Sequence, residues 1–267
     1  MSALARWDAF LAQISTRHQQ VRDETQASER GFIATVAGGG DPQPMSHRLA
    51  AVKHRLMELE SKIADTWHAK VDDAICDEGN PTEVRDAAFA KGRALGHHLA
   101  DARDEAEIAL LAELARARYQ AAVATAMPVV CPACGASGAP PHGFRQVELT
   151  CQCGRAVVYA PSDLMQSAGA LGAHPISQEA AVVEWRAMNA AERAMHAVRP
   201  PAPLALIQAY EAAQIAYWYK YITARAWFEP ELGRDVPMEV RKRLEQFYVF
   251  TADHEPAWRE AGRPRAI

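Results

Sequence analysis

The chain has 267 residues, enough for one large domain or two modest ones and well above the size at which a core is hard to build. Apolar residues make up 49%, but 54 residues are alanine, so the bulkier apolar types come to only about 29%. Alanine favours helices and is poor in strands, which argues against an all-β fold or a doubly wound parallel sheet. The net charge of −4 and pI near 6.2 oppose the balance of a strongly basic nucleic-acid binder, and 23% charged residues is too ordinary for bulk disorder.

The first residues, Met1 to Asp8, carry charge early and lack an apolar stretch, so no secretory signal is expected. Residues 2–37 read as a long helix. Leu4, Trp7, Leu11, Ile14, His18, Val21, Thr25, Ser28 and Phe32 recur in steps of three and four, the spacing of a heptad seam. The seam is polar from His18 to Ser28, where the helix would fray or face a polar layer. The run Gly38-Gly39-Gly40-Asp41-Pro42 then reads as a turn. No Gly-Lys-Ser/Thr follows it and no strand precedes it, so a phosphate cradle is disfavoured.

A second helix is expected over 46–77, with Ser46 as its cap. Its seam is Leu49, Val52, Leu56, Leu59, Ile63, Thr66 and Lys70, with Trp67 and Val71 close beside it. Gly79-Asn80-Pro81 closes it, and Thr82 is placed to cap a third helix over 82–127. In that helix Ala88, Gly92 and Gly96 make a stripe of small residues. Each glycine costs about 1 kcal/mol against alanine, so the pair predicts close packing or a bend. Cys76 reads as a lone buried thiol. His97 shares a helix face with Asp101, as does His98, with Asp104 and Glu105 nearby, and Asp65 precedes His68 by three residues. Surface salt bridging explains both groups. No Glu-x-x-His occurs, so a di-iron bundle is not supported.

Of the five cysteines, four lie within 23 residues. Cys131-Pro-Ala-Cys134-Gly135 and Cys151-Gln-Cys153-Gly154 are paired thiols on tight turns, each ending in glycine. Thiolates are soft ligands, and four of them close a tetrahedral site. Residues 144–150 alternate like a strand into the second pair, and 156–159 return from it. Unliganded cysteines and a redox Cys-x-x-Cys remain the alternatives. The segment 128–161 resembles a zinc ribbon, although its second knuckle is Cys-x-Cys rather than Cys-x-x-Cys. The resemblance implies one structural zinc on Cys131, Cys134, Cys151 and Cys153, in a module that serves as a binding knob or a brace. Phe144, Arg145, Arg155 and Tyr159 are its candidate contact residues.

Helices follow over 177–198, starting at Ser177 behind Pro175, over 204–228, and from Pro237 to Phe250. The stretch 204–228 is apolar nearly all round, but its Gln208, Glu211, Gln214, Lys220 and Arg225 exclude a lipid-facing span. It is either the central core helix or a partner surface with Trp218 and Trp227 as anchors. Eleven of the twenty aromatic residues fall after residue 209, Phe247, Tyr248, Phe250 and Trp258 among them.

The expected architecture is mainly α: a long-helix bundle or coiled-coil hairpin (1–127), an inserted zinc ribbon (128–162) and aromatic-rich helices packed on the bundle (163–267). The leading functional expectation is a non-enzymatic cytoplasmic scaffold or adaptor that binds protein or self-associates. A nucleic-acid-associated factor using the ribbon hairpin is the alternative. An enzyme with a purely structural zinc and a pocket near His97 is the third.

Overall fold

The computed structural model describes residues 1–250, with side chains through residue 246; Trp258 and the side chains of Phe247, Tyr248 and Phe250 lie outside this description. The chain is mainly helical, with two small antiparallel sheets. It forms two compact units, Met1–Leu110 and the remainder from Leu111. Among the described residues no helix is long and apolar enough to cross a membrane.

The first unit contains α1 (Ala3–Val36), α2 (Gln43–Thr66), a wide π-helical turn (Trp67–Val71), α3 (Asp72–Asp77) and the first part of α4 (Thr82–Ala124). Ser2 caps α1 by accepting from the Ala5 N–H. The buried stripe of α1 follows the expected seam through Trp7, Leu11, Ile14, His18 and Val21, then moves to Glu29, Ile33 and Val36. Ser28 is exposed and Phe32 half-buried. An undistorted helix has about 3.6 residues per turn, so a 3.5-residue pattern drifts off its face within a few turns.

The expected polar layer is present. His18 is fully buried and hydrogen-bonds Glu60 at 3.1 Å, and Glu60 also pairs with Arg103 of α4. Glu29, 3% exposed, takes a bidentate bond from Arg48, whose guanidinium lies 4.2 Å over the Phe32 ring.

Helix α2 starts three residues before Ser46, which makes no cap; Pro42 and Pro44 set the entry instead. Beyond Ile63 the buried residues are Trp67, Val71 and Ile75, while Lys70 is exposed. Those are equal steps of four. A regular helix would rotate such residues off the face, and the wide turn absorbs the excess. Gly79, at φ 72°, ends α3: its N–H bonds the Cys76 carbonyl and the Asn80 N–H that of Ile75. Thr82 is the first residue of α4 rather than its cap.

The second unit holds the end of α4, the strands, α5 (Asp163–Ala180), α6 (Val182–His196), α7 (Leu204–Arg225), a 3₁₀ turn (Pro230–Arg234) and α8 (Val236–Phe250). The helix expected from Ser177 begins instead at Asp163, with Ser162 accepting from the Met165 N–H and Pro175 inside it. A good cap and a run of small residues outweigh one lost backbone bond at proline. The break falls later, at Ala181. Helix α7 packs against α5, α6 and α8, so it is the central helix of this unit. Its buried polar groups are partnered: Tyr217 donates to Gln178 and Tyr210 to Glu192.

Candidate metal centre

The cysteines sit on two hairpins. Strands β1 (Val129–Val130) and β2 (Ser137–Gly138) flank the first pair; β3 (Val147–Thr150) and β4 (Ala156–Tyr159) flank the second. Both knuckles close with the same pair of backbone hydrogen bonds, one residue tighter in the second. The Cys131 N–H bonds the Ala136 carbonyl and Gly135 N–H returns to Cys131; the Cys151 N–H bonds Arg155 and Gly154 N–H returns to Cys151. Gly135 and Gly154 take φ of 73° and 81°, conformations that favour glycine. One residue fewer between Cys151 and Cys153 therefore still yields a tight turn. The pair β1–β2 was not anticipated, because two-residue strands carry no alternation to read.

The four Sγ atoms all lie within 4.8 Å of one another, with Cys131 to Cys153 at 3.8 Å and Cys134 to Cys151 at 3.6 Å. A disulfide would hold its sulfurs at about 2.05 Å. Tetrahedral ligation with metal–sulfur bonds of about 2.3 Å places sulfurs about 3.8 Å apart. The cluster therefore fits a tetrahedral metal ion and not a bonded pair.

The electrostatics agree. Backbone N–H groups of Ala133 and Cys134 point at the Cys131 sulfur and bring its thiol down to about 6. The Ala136 N–H does the same for Cys134, but the crowded sulfurs of Cys151, Cys153 and Cys131 outweigh it and push that thiol up to about 12. Four thiolates at this spacing need a cation among them. Cys131 is 3% exposed and Cys134 is exposed, so the cluster reaches the surface on one side.

Residues expected to be free contacts on the ribbon are partly used to seat it on the helices. Phe144 stacks on Phe228 at 4.9 Å and meets Trp227 at 5.0 Å and Tyr119 at 5.6 Å. Arg145 makes a two-oxygen ion pair with Glu231 at 2.8 and 3.0 Å; a backbone hydrogen bond, and then this pair, hold that carboxyl below its usual range. Both residues turn away from the expected strand, which begins only at Val147. Arg155 is exposed and Tyr159 half-buried. Trp218 donates to Gln214 and lies under Arg243, while Trp227 is 47% exposed. The seat residues Tyr119, Phe228, Glu231 and Gly169, which lies directly against the Phe144 side chain, carried no motif. The unusual aromatic density near residue 228 was their only sequence signal.

The other candidates separate. Among the described residues, only the four cysteines form a group set for a metal, so the residues around His97, His98 and Asp101, and Asp65 with His68, do not. The cavity adjoining His97 is lined mainly by aromatic and aliphatic groups. Cys76 is exposed rather than buried, 3.7 Å from an Arg85 nitrogen. Comparison with family models, with curated proteins and with solved structures finds no match to this chain.

Proposed function

We propose that the chain is a non-enzymatic scaffold or adaptor, in which one zinc ion rigidifies a ribbon-like knob that contacts a protein partner. The observation that supports this reading is the cluster of four sulfurs within 4.8 Å of one another, which would fill a tetrahedral ion's positions and leave none for water or substrate. Zinc is the ion that such a set favours, and reduced thiolates suit a reducing compartment such as the cytoplasm. When bound, zinc would supply cross-linking of the two hairpins. Cys131, Cys134, Cys151 and Cys153 would hold it, and Phe144 and Arg145 fix the hairpins on the helices.

The ribbon exposes two apolar side chains, Val130 at 57% and Val158 at 58%, and the residue opposite Val158 across the ladder is the acidic Glu148. That supports a protein contact over a nucleic-acid one, since Arg145 is already paired with Glu231. The test is cross-linking of the purified protein to its captured partner, with metal analysis of the same sample. Cross-links should map to the ribbon and vanish in the Val130→Asp/Val158→Asp variant while about one zinc per chain remains. Binding that persists in this variant, or a sample without metal, overturns the reading.

A further inference from the structure

The first unit contains a cavity of about 210 Å³, larger than the roughly 150 Å³ that accommodates a benzene ring. Trp7 of α1, Ile63 of α2, Trp67 of the wide turn and Phe89 of α4 form its walls, and Gly92 and Gly96 of α4 its floor. Gly92 is required by packing on Trp7. Gly96 is not: a Cβ there would meet only Ile63 Cδ1, at an ordinary 3.9 Å. A glycine that weakens its helix, with room for a side chain above it, keeps space open. The cavity also borders a π-helical turn, a feature frequent at functional sites.

Charge at the rim selects the ligand. Glu60 lines one side, but His18 and Arg103 already bond it. Arg93 lies at the other side, its guanidinium 5.8 Å from the Phe89 ring, and no carboxylate pairs with it among the described residues. His68 and His97 stand beside it. A cationic ligand would face an uncompensated guanidinium, while an anion would meet one.

We propose that this cavity binds a planar aromatic acid of one or two fused rings, its ring lying over Gly96 against the exposed edge of Phe89, which itself packs on Trp67 at 5.2 Å, and its carboxylate on Arg93. The site is independent of the metal centre and of the scaffold reading.

The experiment is calorimetric titration of the full-length, metal-loaded protein with 2-naphthoate, the neutral 2-naphthylmethanol and the cationic 2-naphthylmethylammonium. The acid should bind at one site, at least tenfold more tightly than the alcohol, and the ammonium more weakly than either. Arg93→Gln should erase the preference for the acid. Gly96→Leu should abolish binding. Ala64→Leu, at an exposed position lining the same cavity, should also block it without entering the core. No heat from the acid at millimolar concentration overturns the proposal. So does tightest binding by the ammonium, or unchanged affinity in folded Ala64→Leu protein.

Discussion

Gly92 lies against the Trp7 ring: a Cβ built on it would stand 2.4 Å from Cζ2 of the indole, whose N–H donates to the Ala88 carbonyl at 3.0 Å. The indole is 1% exposed and is anchored by that bond, so shifting it would break a buried hydrogen bond. Gly92→Ala should therefore destabilise the protein by about 1–2 kcal/mol, because overpacking outweighs the gain in helix propensity. Gly96→Ala, four residues on, should stabilise it by up to about 1 kcal/mol. Urea unfolding of the two variants checks the contrast, and equal signs would refute the packing account.

Phe144 is seated in the same manner. A Cβ on Gly169 would lie 2.7 Å from its Cβ, Cγ and Cδ1. Phe144→Ala should cost about 2 kcal/mol, less than for a fully buried ring, and expose the loop to limited proteolysis. Metal content should not change, because the ligands lie elsewhere. A variant that resists protease like the parent would show that the ring does not hold the ribbon.

Metal removal should act locally. A strong chelator is expected to abolish the two hairpins while far-UV dichroism keeps most of its helical signal, since α1, α2 and α4 carry their own buried faces. Cys131→Ser should lower metal content below about one tenth of the parent value. Cobalt substitution, read by its thiolate charge-transfer bands, reports the sulfur ligands directly. Full metal occupancy in Cys131→Ser would contradict the four-sulfur assignment.

His174 begins a chain of polar contacts. Its Nδ1 lies 2.9 Å from the Tyr221 hydroxyl, which accepts from Arg225, and Arg225 pairs with Glu229. Partial burial and then the Arg225 charge hold its pKa below the ordinary 6.5. The unfolded chain thus binds this proton more readily than the folded one. Stability is complete above pH 6.5 and falls as pH drops below it. Imidazole NMR titration should find the depressed value and an upward move in Arg225→Met. His174→Gln should flatten the slope of stability below pH 6.5; an unaltered slope would assign it to other groups.

Arg103 and Glu60 have side-chain exposures of only 11% and 13%. Arg103→Met should cost about 3 kcal/mol by stranding the Glu60 charge beside His18. Replacing both Arg103 and Glu60 with methionine should recover only part of that loss, because buried His18 then loses its bond to Glu60. A double variant no better than the single one would mean that Arg103 acts through packing alone.

The four ligands were legible because each pair is local: two thiols and a glycine on one turn need no tertiary information. The long helices were legible from alanine and from seams such as Trp7, Leu11 and Ile14. Three features were not, one because a cap overrides a proline and two because partners on other elements decide them. Pro175 signalled a helix start, but the Ser162 cap lies thirteen residues earlier and governs the segment. Phe144 and Arg145 fitted a strand pattern until Phe228 and Glu231 drew them away. Glu29 took the buried position expected of Ser28 because its carboxylate meets Arg48 from another helix.

The wide turn at Trp67–Val71 has a meaning for insertions and deletions. Ile63, Trp67, Val71 and Ile75 span three turns in twelve steps, where a regular helix uses about eleven. The chain therefore carries one surplus residue at this point. Loss of the exposed Ala69 would leave an ordinary helix with Ile63 and Ile75 still facing inward. A one-residue gap that turns the rest of a regular helix by about 100° would here restore its regularity.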